Sequence, residues 1–403
     1  MKKLILTIFF IHFALSIASA QWAQVSSGMG NLTVYSLAYS GNNLFAGTVN
    51  NGVFLSTNNG ANWTQTSLNN KTIYSLTANG VNVFAGTDNT GGLYMSTNNG
   101  TNWTQTQLNN LFINSLAVSG NNVFAATDVN GVYYSTNNGT NWTQSSLNNQ
   151  NILSVAVNGN NVYAGIYNPA NGVYLSTNNG ANFTQTSLNN QWVKSLVISG
   201  NTVYAGTQTN GVFVSRNNGS NWNQTVLNNR SVLALEKNGV NIFAGTLSNG
   251  VYISGDTGTT WTQRNEGLGN ISVWSFCILN NYVFAGATGS GVFRRPLSEI
   301  TGLQNIGTET PSSYSLGQNY PNPFNPTTKI KFSLPLWRGE GGRTVQLFVY
   351  DVTGREVQTL VNESLQPGTY ETTFDGSSLN SGVYFYKITA GDYSETKRMV
   401  LLK

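Results

Sequence analysis

From residue 22 to residue 295, apolar and polar positions alternate in short bursts, four bursts to a unit, and the unit recurs along the chain. In the first complete unit the bursts fall at 34–39, 44–47, 52–56 and 63–66. Alternation over four to six residues marks a half-buried strand. Between the bursts stand Ser40-Gly41-Asn42-Asn43, Asn50-Asn51-Gly52 and Asn58-Asn59-Gly60. Asn and Gly accept the positive φ that tight hairpins need. Each unit therefore reads as a four-stranded antiparallel meander. Such a sheet leaves two partly apolar faces uncovered, so neighbouring units must stack.

The stretch Ser56-Thr57-Asn58-Asn59-Gly60-Ala61-Asn62-Trp63 sets the period. It returns at 96–103, 135–142, 176–183, 215–222 and 254–261, so Trp63, Trp103, Trp142, Phe183, Trp222 and Trp261 lie 39 to 41 residues apart. A period near 40 with strand-like content indicates a radial or stacked array of small sheets. First strands open at Val34, Ile73, Ile113, Ile152, Val193, Val232 and Val273, yet the Trp- or Phe-bearing fourth strand follows only six of these seven. The last unit runs 273–279, 282–287 and 291–294, then stops. Its missing strand stands at the other end, where Trp22-Ala23-Gln24-Val25 matches Trp63-Thr64-Gln65-Thr66. This offset predicts an all-β ring, a seven-bladed β-propeller over 21–297, whose last blade is completed by the N-terminal strand. Closure of that kind removes exposed sheet edges.

At Ser254-Gly255-Asp256-Thr257-Gly258-Thr259-Thr260-Trp261 the recurring stretch resembles the Asp-box (BNR) repeat of sialidases, sortilin-type receptors, xyloglucan-cleaving glycosidases and photosystem assembly factors. The other five copies carry Asn58, Asn98, Asn137, Asn178 and Asn217 where Asp is usual. Asn still accepts backbone N–H bonds in an Asx turn, so a structural role survives the change. The aromatic residue is expected to pin the hairpin against the blade. The resemblance speaks to fold, because the same box serves hydrolases and plain binding proteins.

Residues 1–20 have the form of a signal peptide: Lys2-Lys3, an apolar run from Leu4 to Ile17, and Ala18-Ser19-Ala20 as a cleavage site. The formal charge is +4, and without Lys2 and Lys3 it falls to about +2. That gives no electrostatic case for nucleic acid or an anionic membrane. The one histidine, His12, lies in the leader, and the one cysteine, Cys277, lies in an apolar strand. Beyond the leader this excludes histidine-based catalysis or metal binding, and an intrachain disulfide is excluded throughout. Cys277 reads as a small buried hydrophobe. No cofactor and no metal are expected.

After Leu297 the pattern breaks. Residues 298–313 read as a linker, and 314–403 as a small β-sandwich of Ig-like type with strands at 329–334, 345–351, 356–361, 370–374, 382–389 and 396–402. Pro321, Pro323 and Pro326 forbid a helix or central strand, so the lead-in runs extended along the sandwich. The tail closely resembles the type A C-terminal sorting domain of the type IX secretion system of Bacteroidota. The matching parts are 320–326, with Pro321, Asn322, Pro323 and Phe324; 349–355; 381–386, with Gly382, Val383 and Tyr384; and 397–403. The resemblance implies the type IX secretion machinery as a partner, passage through the outer membrane, and a secreted or surface location. A Gly-rich, charged stretch at 336–343 departs from that pattern and reads as a lengthened hairpin.

In a four-stranded meander, the 2–3 loops and 4–1 connections share one face of the ring. These segments vary from unit to unit, whereas the opposite face is nearly uniform. The variable face carries Lys71, Phe112, Trp192 and Arg230 on 4–1 connections, Asp88, Asp128 and Tyr167 on 2–3 loops, and Tyr35, Tyr74, Lys194 and Trp274 at the start of first strands. Variation confined to one face of a repetitive scaffold is what a ligand-facing surface looks like. Phe112, Trp192 and Trp274 are expected to be exposed, and aromatics among amides and hydroxyls suit an uncharged polar ligand such as a glycan, or another protein. The competing reading is a sialidase- or xyloglucanase-like hydrolase. Glycosidases need two carboxyl groups about 5–10 Å apart, and Asp88 with Asp128, in equivalent loops of adjacent units, is the candidate pair. No arginine cluster for a substrate carboxylate is apparent, so the chain is read as a binding module and not an enzyme.

Overall fold

The computed structural model describes residues 21–168, 171–297, 300, 303–306, 310–336, 343–376 and 379–403. The expected leader at 1–20 and residues 337–342 of the Gly-rich stretch lie outside the described residues.

Up to Pro296 the described chain forms seven four-stranded antiparallel sheets. The first is built from Val34–Ser40, Asn43–Thr48, Gly52–Ser56 and Thr64–Gln65, in that order from the inside outwards. Each innermost strand lies against the innermost strand of the next sheet, and that of the seventh lies against the first, so the array closes. The seventh sheet takes Ala23–Gln24 as its fourth strand, in register with Arg294 and Phe293. Trp22 beside it is buried with Phe276 and Phe293, and its Nε1 donates to the Arg264 carbonyl at 2.8 Å. Burying an aromatic side chain of this size stabilises by about 2–3 kcal/mol before its hydrogen bond is counted, and here that gain ties one chain end to the other.

Two sequence expectations shift. The fourth strand of the first sheet spans two residues, Thr64–Gln65, and Trp63 precedes it. Trp63 gives its N–H to the Ser27 carbonyl instead of to its own sheet. The innermost strand of the second sheet is Ser75–Asn79, starting two residues after Ile73. Ile73 donates its N–H to Thr48 of the preceding sheet, as Ile113 does to Thr87, and Tyr74 bonds back to Gly86 of its own sheet.

The recurring Ser-x-Asn/Asp-x-Gly-x-x-Trp/Phe stretch works as a self-contained hydrogen-bonded turn. Ser56 Oγ accepts the Gly60 N–H at 2.9 Å, and Asn58 Oδ1 accepts the Asn62 N–H at 2.9 Å and the Ser56 hydroxyl at 3.0 Å. Asn98, Asn137, Asn178 and Asn217 repeat this pattern. Asp256 makes the same backbone contact, to Thr260 N at 2.8 Å, and adds Thr259 N and the Thr260 hydroxyl. One side-chain oxygen suffices for the shared bonds, so amide replaces carboxylate without loss of the turn. The glycine of each turn rests on a buried aromatic ring of the preceding sheet, as Gly100 does on Phe45. A Cβ there would stand 2.7 Å from the ring, at φ +77°. The stretch is thus an intersheet packing device, which is why its period equals the sheet period.

The C-terminal segment forms two four-stranded sheets around one core. One holds Gln304–Asn305, Gly368–Asp375, Thr327–Leu334 and Ser315–Leu316; the other holds Glu356–Leu365, Arg343–Tyr350, Gly382–Ala390 and Tyr393–Leu401. Phe332, Phe374, Tyr386 and Ile388 lie at its centre. The stretch read as linker, 298–313, contributes to this unit: Gln304 pairs with Glu371, and Leu303 is buried in the core. Ile300, Leu303 and Ile306 stand three apart among polar residues, a spacing without the alternation that would announce a two-residue strand.

Candidate functional site

The innermost strands line a channel, and the way each begins creates the site. In six of the seven, the pairing register slips between the first and third residues. The residue left out of the ladder is Tyr35, Asn114, Leu153, Lys194, Leu233 or Trp274. A bulge frees one residue from pairing and re-aims its side chain. All six, together with Tyr74 of the second sheet, line one cavity of about 420 Å³. That lies within the ~300–1,000 Å³ typical of ligand pockets. Below them runs a tier of Ser36, Ser75, Ser115, Ser154, Ser195 and Ser275, and below that an apolar tier that includes Leu76, Leu116, Leu196 and Phe276. Several serines join neighbouring sheets, as when Ser36 Oγ accepts the Leu76 N–H at 2.6 Å and Ser115 Oγ the Val155 N–H at 3.2 Å.

Three aromatic side chains converge at this mouth, and a fourth, Phe112, packs against one of them. Trp274 meets Tyr35 edge-on at 4.9 Å between centroids, Tyr35 stacks on Tyr74 at 5.6 Å, and Tyr74 meets Phe112 at 4.4 Å. The Trp274 Nε1 donates to Thr288 Oγ1 at 2.7 Å. Burial, then the nearby Tyr35 and Asp88, raise the Tyr74 hydroxyl above its ordinary range. Lys194 lines the same cavity, and burial lowers its ammonium from the usual lysine value.

The remaining predicted residues spread over the same face. Tyr167 and Trp192 form a separate pair at 4.8 Å. Phe112, Trp192 and Trp274, expected to be exposed, are half-buried because each packs against another ring. Arg230 lies over the Tyr252 ring at 5.9 Å and donates to its hydroxyl at 3.3 Å. Lys71 is half-buried, and its carbonyl accepts the Gly52 N–H. Asp88 turns back on its own loop, accepting from Thr90 N at 3.0 Å and Thr90 Oγ1 at 2.5 Å. Asp128 accepts a hydrogen bond from Asn151 Nδ2. Each carboxylate is thus engaged in holding a loop.

A second cavity of about 570 Å³ lies deeper along the innermost strands, lined among others by Tyr39, Glu236, Lys237 and Cys277. Glu236 is the carboxylate among these residues. Enclosed by protein but reached by solvent through the cavity, its carboxyl is pushed up to about 7 by burial, against the opposing pull of Lys237. Glu236 Oε1 accepts the Lys237 N–H at 2.9 Å. Cys277 is buried, and its thiol is raised well above the ordinary range. The serine tier went unread, although it shows in the sequence as Ser two residues after the opening Val or Ile of every unit but the sixth, where Ala234 stands.

In the C-terminal unit the motif residues clasp the last strand. Asn322 Oδ1 accepts the Val400 N–H at 3.0 Å, Phe324 pairs with Leu401, and the Phe324 ring packs against Phe374. Pro321 and Pro323 both follow cis peptide bonds, and the Pro321 carbonyl accepts from Asn319 Nδ2 and Thr328 Oγ1. Gly382 and Val383 pair with Leu401 and Val400, and the buried Tyr384 donates its hydroxyl proton to Asn380.

Among the described residues no helix is long and apolar enough to cross a membrane, and no group of His, Cys, Asp and Glu side chains could hold a metal ion. No curated protein matches the chain. Among solved structures, YCF48 from Cyanidioschyzon merolae is 14% identical with a TM-score of 0.55, over 69% of this chain and 98% of that one. YCF48 bound to the D1 peptide is 12% identical with a TM-score of 0.57, over 70% and 98%. A catalytically inactive virginiamycin B lyase from Staphylococcus aureus, solved with quinupristin, is 9% identical with a TM-score of 0.58, over 69% and 99%. At such identities the likeness is one of fold. Residues 318–402 match the family model of the secretion system C-terminal sorting domain. The chain thus joins an all-β, propeller-like body to a C-terminal sorting domain that marks it for export.

Proposed function

We propose that this protein is a secreted or surface-held glycan-binding module: a seven-bladed β-propeller with Asp-box-type turns, carried out of the cell by the type IX system through an Ig-like sorting domain. The leader at 1–20 serves the first membrane, and the sorting domain the second. The observation that carries the binding reading is the convergence of Trp274, Tyr35 and Tyr74 over one cavity, with Phe112 packed against Tyr74. Aromatic faces bordered by hydroxyls and amides suit sugar rings, whose C–H faces are apolar and whose edges are polar. The same mouth is read as non-catalytic, since Asp88 and Asp128 are committed to their loops. Isothermal titration of residues 21–403 against soluble polysaccharides tests the reading. Binding that Trp274→Ala weakens at least tenfold supports it, and the absence of any saccharide binding overturns it. Glycoside turnover abolished by Asp88→Asn or Asp128→Asn supports the hydrolase instead.

A further inference from the structure

Lys194 is the cation that lines the upper cavity, and its setting is unusual. It is half-buried, and among the described residues no carboxylate lies within ion-pairing distance of it. Arg230, the other notable cation of this face, is already engaged with Tyr252 and the Asn229 carbonyl. The acids of the same face, Asp88 and Asp128, are held by Thr90 and Asn151. A partly desolvated ammonium without a counter-ion costs free energy that a ligand anion recovers. The order of the sheets fixes where that anion lies. Lys194 stands on the fifth sheet, while Trp274, Tyr35 and Tyr74 stand on the seventh, first and second. In a closed ring of seven this sets the charge across the channel from the aromatic wall.

We propose that the mouth selects a carboxylate-bearing saccharide, a uronate, whose pyranose ring lies along Trp274, Tyr35 and Tyr74 and whose carboxylate meets Lys194. This inference rests on the glycan-binding reading and narrows it, replacing the uncharged ligand that composition alone favoured. A single lysine on a flexible stem suits one monoanionic carboxylate. Phosphate recognition draws on bidentate arginines or clustered backbone N–H groups. A charge-assisted bond of this kind favours an acidic over a neutral oligosaccharide by about 10- to 100-fold.

Titration of residues 21–403 with penta-galacturonate and with cellopentaose, at low and at 0.5 M NaCl, tests the inference. The expected result is a 10- to 100-fold preference for the acidic oligomer that shrinks in high salt. Lys194→Met is expected to erase the preference by weakening penta-galacturonate far more than cellopentaose, and Trp274→Ala to weaken both ligands. Circular dichroism melts confirm that each variant is folded, and Lys194→Arg, which keeps the charge, is expected to retain most of the preference. Equal affinity for the two oligomers, or a preference that survives Lys194→Met, overturns the inference and leaves the glycan reading standing. Failure of the wild-type protein to bind either oligomer overturns the inference, and the glycan reading falls with it only if the soluble polysaccharides fail to bind as well.

Discussion

Replacing Glu236 by Gln removes one ionisable group from the deeper cavity while keeping an oxygen that accepts the Lys237 N–H. In the folded protein burial lifts this carboxyl from 4.5 to about 7. Below pH 4.5 it is protonated in both states and costs nothing. As pH rises from there the unfolded chain releases the proton while the folded chain keeps it, so stability is lost progressively until about pH 7 and is level beyond. At about 1.4 kcal/mol per tenfold, the full loss is at most about 3 kcal/mol, and solvent entering the cavity reduces it. The window is free of interference: the only histidine is His12, so protein beginning at residue 21 has no imidazole to titrate there. The α-amino group titrates alike in wild type and variant and cancels in the difference. Carboxyls held low, such as Asp351 at about 2, change their contribution only below the window. Urea unfolding followed by tryptophan emission reports the ring, because Trp337 alone among the tryptophans lies outside it. The variant should match the wild type at pH 4.5 and exceed it by about 1–3 kcal/mol at pH 8. Parallel pH profiles for the two proteins refute the reasoning.

Three further outcomes are expected. Gly100→Ala places a methyl group against Phe45 at a positive φ and should destabilise the ring by about 2–4 kcal/mol, read as a lower urea midpoint at unchanged slope. Trp22→Ala should cost about 3–5 kcal/mol and raise protease sensitivity near Gly291–Pro296, since it removes the side chain that anchors the closing strand; a melting temperature equal to wild type speaks against closure as a source of stability. Deleting 318–403 should abolish export, with the truncated protein recovered from the periplasm and none from the medium or cell surface.

The ring and its closure were legible in the sequence because both rest on short-range chemistry repeated at a fixed interval. Alternating apolar residues, Asn-Gly turns and the Trp22-to-Val25 match to Trp63-to-Thr66 each report a local preference, and repetition turns weak local signals into one architecture. The sorting segment was legible for a similar reason, since its prolines and its Asn322–Phe324 clasp belong to a contiguous motif. What the chain order alone left open was which variable residues share one space. Tyr35, Tyr74 and Trp274 are spread across nearly the whole ring in sequence and meet only because the last sheet closes on the first. A register slip at the head of six innermost strands turns Lys194 and its equivalents into the cavity, and a slip of one residue has no signature in hydrophobic pattern. The perturbed carboxyl of Glu236 arises the same way, because desolvation depends on how many atoms the other sheets bring near it, a quantity set by the closed ring as a whole.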